Sequence, residues 1–351
     1  MNKRVIWLVL FGLFVMFFNR DAALVAAPDA GETARITRTI DGTNPNRMSQ
    51  FADMSGNGRY ITYSSVATNL AVGDDNNASD IFVYDRDTNQ TERVSVRTDG
   101  GQANGSSYVP AISDDGRYVV FQSFATNLVD DDTNNVSDIF YHDRQTNETF
   151  LVSFVIDEIA NDFSLNPDIS GNGRYMVFTS FANNLVDGDN NSAADVFLFN
   201  REGRTLERVS LDSNEVEGNG NSQLASISDD GTEVVFESLA SNLVTGDANT
   251  YADIFLRDLS AGATTRISVH TNGTEGNGAS SQAVISGDGT TIAFASLANN
   301  LTDNDSNSYQ DIFAYTVSGS STSLVSVASD GTVANRSSKL PSISDNGRYV
   351  S

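Results

Sequence analysis

The chain has 351 residues, no cysteine, two histidines and a formal net charge of −25. Disulfides, thiolate metal sites and a cysteine nucleophile are excluded. The excess of carboxylates argues against nucleic-acid phosphates, which need Lys/Arg patches, and against a polybasic contact with anionic lipid. Cations and neutral ligands suit such a surface better.

Residues 1–27 read as a secretory signal. Lys3 and Arg4 precede an apolar run, Val5–Phe18, of 14 residues. That is short for a membrane span and right for a signal core. Small residues at Ala22, Ala23, Ala26 and Ala27 supply a cleavage site near Ala26 or Ala27. Left uncleaved, the segment would act as an anchor and would be the one route to a membrane. Either reading exports the body to the periplasm, the cell surface or the extracellular space.

From residue 34 to 351 the chain is organised by a repeat. Asp80-Ile81-Phe82 returns as Asp138-Ile139-Phe140, Asp195-Val196-Phe197, Asp253-Ile254-Phe255 and Asp311-Ile312-Phe313, at spacings of 58, 57, 58 and 58 residues. A fixed period of this length marks a repeat architecture. Each copy has four short apolar runs. In the second copy they are Ala111-Ile112-Ser113, Arg117–Phe121, Asp138–Tyr141 and Phe150–Phe154. A turn glycine (Gly58, Gly116, Gly173, Gly231, Gly289, Gly347) separates the first two and suits the positive φ of a hairpin. β-branched and aromatic residues fill the second run, as in a strand.

Four strands per repeat predict an all-β chain, a β-propeller of four-stranded blades. Five full repeats are followed by a partial sixth, Lys339–Ser351, which makes a six-bladed ring the expectation and a longer parent protein plausible. Ala34–Arg38 reads as an outer strand that could complete the sixth blade. Leu70, Leu128, Leu185, Leu243 and Leu301 read as plugs between blades, and Phe82, Phe140, Phe197, Phe255 and Phe313 as core.

Ile112-Ser113-Asp114-Asp115-Gly116-Arg117-Tyr118-Val119-Val120-Phe121, followed by Asp138-Ile139-Phe140, resembles the WD40-like repeat of TolB-type β-propellers. The resemblance covers residues 35–351 and implies the fold rather than a function, since such propellers serve in periplasmic, cell-surface and protease-associated proteins. The chain departs from TolB in lacking a small domain before the propeller, and from propeller-bearing serine peptidases in lacking a Gly-x-Ser-x-Gly elbow.

Between the second and third runs lies an acidic loop. Numbered from its first acid, positions 1, 3, 5 and 9 are Asp130, Asp132, Asn134 and Asp138 in the second copy. They are Asp187, Asp189, Asn191 and Asp195 in the third, and Asp303, Asp305, Asn307 and Asp311 in the fifth. The first copy keeps Asp74, Asn76 and Asp80 behind Val72, and the fourth keeps Asp247, Asn249 and Asp253 behind Thr245. Alternate oxygen-bearing side chains curl toward one centre, as at the start of an EF-hand loop. Ca²⁺ takes six to eight such oxygens, so these residues are expected to hold structural calcium; Mg²⁺ prefers to keep its water. The spacing is similar to the Asp-x-Asp-x-Asp-Gly-x-x-Asp loops of integrin-type propellers, with Asn at position 5 and Asn77, Asn135, Ser192, Thr250 or Ser308 in place of the glycine. Asp and Asn also recur in loops as caps of tight turns, the competing explanation.

The acidic loops and the Gly/Asn-rich connections between repeats must emerge on one face, where a protein or glycan ligand is expected. Asn104, Asn219, Asn277 and Asn335 ring that face, as turn formers or as contacts. The sequence thus points to an exported, calcium-stabilised binding or scaffold module. The alternative is a polysaccharide hydrolase or lyase working in the central funnel. It would need acids that break the repeat symmetry, and the odd ones are scattered: Asp157, Glu158, Asp162, Glu215 and Glu217, the last two expected on a solvated face.

Overall fold

A computed structural model describes residues 33–39, 41–155 and 158–351. The proposed signal, 1–27, and Asp157 lie outside these residues. Among the described residues there is no helix, and the strands form five four-stranded antiparallel sheets and one two-stranded hairpin. In blade 1 the strands are Ser49–Met54, Tyr60–Ser65, Asp80–Asp85 and Gln90–Arg93, paired in that order. Blades 2 to 5 repeat the pattern. Residues 339–351 begin a sixth repeat, with one bridge from Ile343 to Val350. The architecture is the β-propeller expected from the period.

The innermost strands surround a central channel of about 500 Å³. All six repeats contribute to its wall, through Asp53, Val109 to Ala111, Asn166 to Asp168, Leu224 to Ser226, Gln282 to Ile285 and Leu340 to Ile343. Each full inner strand carries a bulge, between Gln50 and Asp53 in blade 1 and at the matching place in the others. The bulge puts one residue of each full blade in the left-handed region, Phe51, Val109, Asn166, Leu224 and Gln282, and Leu340 takes the same conformation at the matching place of the sixth repeat. Branched and bulky residues rarely go there, so the curvature of the inner strand overrides their preference.

The second and third strands form the core. An aromatic of one faces an aromatic of the other in every full blade: Tyr63 with Phe82, Phe121 with Phe140, Phe178 with Phe197, Phe236 with Phe255 and Phe294 with Phe313. Ring centroids lie 5.8 to 6.1 Å apart and the rings are fully buried. Burying each such ring contributes about 1.5–3 kcal/mol. The apolar clusters straddle blades, so Val120 and Ile139 of blade 2 pack with Met176, Phe178 and Phe197 of blade 3. The plug leucines are buried as expected.

Hairpin glycines also shape the blade contacts. Gly116 has φ +72°, and a Cβ there would meet the Tyr60 ring of blade 1 at 2.0 Å. Arg144 lies over that ring at 4.3 Å and Arg201 over Tyr118 at 4.0 Å. These arginines therefore join neighbouring blades by cation–π contact.

Two local expectations need correction. Residues 33–39 form no strand; Ile36 instead packs on the blade 1 cluster around Tyr63 and Leu70. In blade 2 the outer strand is Glu148–Leu151, and Phe154–Val155 leaves it to pair with Glu158–Ile159 in the connection.

Candidate metal centre

The acidic loop has one framework in all five blades. Asn at position 5 caps its own turn, its Oδ1 accepting the N–H of position 7: Ala78 to Asn76 at 2.8 Å, Val136 to Asn134 at 3.0 Å and Ala193 to Asn191 at 2.7 Å. Its Nδ2 donates to the Asp at position 9, at 3.1 Å from Asn76 to Asp80 and 2.7 Å from Asn134 to Asp138. The same Nδ2 reaches a backbone carbonyl of the following connection, such as Ala103 or Ala160. Asn249 and Asn307 repeat these contacts. The asparagines thus use their oxygen as turn caps, the role Asx residues play in loops.

Asp at position 9 is fully buried in blades 1 to 5. Its Oδ1 accepts from a serine two residues past the outer strand: Ser95 at 2.6 Å, Ser153 at 2.6 Å, Ser210 at 2.5 Å, Ser268 at 2.5 Å and Ser326 at 2.6 Å. Burial pushes Asp138 up to about 7 and raises Asp80, Asp195 and Asp253 as well. Asp at position 3 is also raised, first by burial. It reaches about 6 at Asp74, Asp132, Asp189 and Asp247. Burial thus leaves positions 3 and 9 both short of stabilisation for their charge.

What compensates that charge differs between blades. In blade 1, Arg93 Nη1 lies 3.5 Å from Asp74 and 3.7 Å from Asp80. In blade 3, Arg208 Nη1 lies 3.9 Å from Asp189 and 3.3 Å from Asp195, and it contacts Glu217. In blade 4, Arg266 Nη1 is 3.3 Å from Asp247, 3.4 Å from Asp253 and 2.5 Å from Glu275. Asp189, Asp195 and Glu217 bring their oxygens within 4.8 Å of one another, as do Asp247, Asp253 and Glu275, and either triad could hold a metal ion. A buried guanidinium already sits among the oxygens of both. Despite partial burial, it helps hold Glu217 and Glu275 below the usual carboxylate range. Blades 2 and 5 have Leu151 and Leu324 where the arginine stands, and Ile159 and Val333 where the glutamate stands.

The acids at position 1 do not join the cluster. The side chains of Asp130 and Asp303 are 94% and 101% exposed, and Asp187 is exposed too. They precede the turn that aims positions 3 and 9 inward. Position 6 is left-handed at Asn77, Asn135 and Ser192. Thr250 and Ser308 do not adopt that conformation; for Thr250 this is what a β-branched side chain dictates. The arginines and Glu217 and Glu275 were not anticipated as site residues, and Glu217 is no solvated-face residue.

Three of the four asparagines on the long-loop face, Asn104, Asn219 and Asn277, clamp neighbouring blades. Asn104 donates to Thr126 at 2.9 Å and accepts the Thr126 N–H at 2.8 Å, while its own N–H reaches Asn127 at 2.9 Å. Asn219 and Asn277 clamp the next blade in the same way. His142 is buried in its strand, and burial lowers its pKa to about 4.

No family model matches the sequence, and no curated protein matches it. The likeness is to solved structures. One is the β-propeller domain of the trilobed protease from Pyrococcus furiosus, with TM-score 0.54, 12% identity and coverage of 86% of this chain and 77% of that one. Another is an oligogalacturonate lyase in complex with manganese, with TM-score 0.54, 12% identity and coverage of 88% and 73%. A third is TolB from Acinetobacter baumannii, with TM-score 0.48, 17% identity and 84% of this chain covered. The chain spans 58% of the length of that TolB. At these identities the likeness shows the fold, a β-propeller.

Proposed function

We propose that the chain is an exported β-propeller, stabilised by Ca²⁺ in acidic loops, that serves as a binding or scaffold module for a protein or glycan on its long-loop face. One observation carries the binding reading. The residue just after the second strand is apolar and exposed in blade after blade: Phe124 at 45%, Phe181 at 43%, Leu239 at 55% and Leu297 at 51%. Its neighbours in the chain, such as Ser123 and Ala125, are buried. Phe163 adds to the ring, edge-on to Phe124 at 6.5 Å. The core has no use for these side chains, and repeated exposed apolar groups on one rim mark an interaction surface. Export is supported by the character of residues 1–27.

Asp53 and Asp168 favour a second reading, a hydrolase or lyase working in the channel. They face the channel where other repeats carry Ala111, Ser226, Val284 and Ser342. Burial raises both, Asp53 to about 7. Yet each already accepts a backbone N–H of the next blade, Ile112 at 2.9 Å and Ile227 at 3.1 Å, so a structural clasp accounts for them.

A glycan array probed with wild type and with F124S/F181S/L239S/L297S, together with an assay for new reducing or unsaturated ends, separates the readings. Saturable binding that the quadruple variant loses, with no product formed, is the expected result. Binding that survives the variant contradicts the face assignment, and product release supports the enzyme.

A further inference from the structure

We propose that blade 2 holds a divalent cation of the Ca²⁺ type between Asp132 and Asp138, in the place that an arginine guanidinium takes in blades 1, 3 and 4. The proposal rests on the calcium reading above and narrows it to one blade. Asp132 is 5% exposed, and neither carboxylate oxygen accepts a hydrogen bond of good geometry; its one neighbouring donor is the Asn134 N–H of its own turn, and no side chain reaches it. A buried carboxylate so poorly met is costly, so a group that meets it is missing from the protein's own atoms.

The repeats show what that group should be. Asp74, at the same place in blade 1, meets Arg93 at 3.5 Å and Gln102 Nε2 at 3.2 Å. Asp189 and Asp247 meet Arg208 and Arg266. Blade 2 replaces both compensating residues with apolar ones, Leu151 and Ile159, while keeping both acids. Had the site needed only to be neutral and dry, the acids were free to go with their partners.

The chemistry of the gap suits Ca²⁺. Asp132 and Asp138 stand where one guanidinium meets both acids in blades 1, 3 and 4, and a divalent ion neutralises their two negative charges. Asp132 offers both oxygens. Asp138 Oδ2 accepts from the neutral amide Nδ2 of Asn134, at 2.7 Å, which supplies no charge, while its Oδ1 is held by Ser153. A hard cation that accepts irregular oxygen sets and completes its shell with water fits better than Mg²⁺, which demands a near-octahedral one. Blade 5 shares the apolar replacement through Leu324 and Val333, but Asp305 is less buried and accepts the Asn307 N–H at 3.2 Å, so the proposal is confined to blade 2.

The test is direct Ca²⁺ binding to the full chain after chelator treatment, by calorimetry and by counting bound ion, in wild type, D132N and L151R. L151R supplies the guanidinium that the other blades use. Both variants should bind one Ca²⁺ fewer than wild type, and L151R should melt in chelator no lower than wild type. If wild type binds Ca²⁺ and both variants keep its full stoichiometry, blade 2 is the wrong place and the calcium reading stands. If wild type binds none, both fail, and Asp132 carries a proton or a buried water instead. D132N is nearly isosteric, so it reports even if the longer arginine of L151R disturbs the blade.

Discussion

Replacing Arg208 with leucine makes blade 3 resemble blade 2, and its cost can be worked from the structure. The Arg208 side chain is 6% exposed and stands among Asp189, 3% exposed, Asp195, fully buried, and Glu217, 20% exposed. Removing it leaves two deeply buried carboxylates without compensation. Glu217 can swing toward water and so adds little. Removing one partner of a buried ion pair typically costs about 3–5 kcal/mol, and R208L should lie in that range in chelator. In Ca²⁺ at about 100 times the dissociation constant of a newly opened site, about 2.7 kcal/mol should return. Urea unfolding followed by far-UV circular dichroism, with and without Ca²⁺, reads both quantities. A loss below about 1 kcal/mol in chelator, the size of a surface pair, would refute the idea that the guanidinium carries the charge of this loop.

Two further outcomes follow from the blade contacts and the channel. G116A should lower the unfolding midpoint, because φ is +72° and the new Cβ would meet Tyr60 at 2.0 Å. Strain and overpacking together should cost about 1–3 kcal/mol, whereas alanine at solvent-facing Gly273 should cost less. Stability should also fall as pH rises from about 4 through about 7, because burial raises Asp53 from its ordinary value to about 7. A carboxyl raised on folding is bound more tightly by protons in the native state, so its contribution is complete below the unfolded value and disappears above the folded one. A carboxyl moved by burial from about 4 to about 7 corresponds to about 4 kcal/mol at most, lost across that pH range. D53N keeps an acceptor for the Ile112 N–H and should flatten that part of a pH-dependent melting series; an unchanged slope would assign it to other groups.

The fold was legible because its determinants are local and repeated. Gly116 and its copies mark the hairpins, and the aromatic of the third run recurs at a fixed period. Asp132, Asn134 and Asp138 were visible for the same reason. The partners of those acids were not. Arg208 lies on the outer strand and Glu217 on the next connection, and only the antiparallel pairing of the blade brings them to Asp189. A signal did exist: arginine goes with Gln102, Glu217 or Glu275, and leucine with Ile159 or Val333. Position 1 misled because spacing alone does not show that Asp130 precedes the inward turn. The left-handed conformation of Val109 and Leu224 has no local signal either, since the sheet imposes it against their preference.

If a cation binds at an acidic loop, folding of this propeller is coupled to it. Thermal unfolding of the chelator-treated protein, with and without millimolar Ca²⁺ and with Mg²⁺ as control, tests it most directly. One site at about 100 times its dissociation constant adds about 2.7 kcal/mol, a rise of several degrees for a chain of this size. That rise is expected with Ca²⁺ and little of it with Mg²⁺. An unchanged midpoint would leave the loops as hydrogen-bonded turns, with Asp132 protonated or hydrated rather than bound to metal.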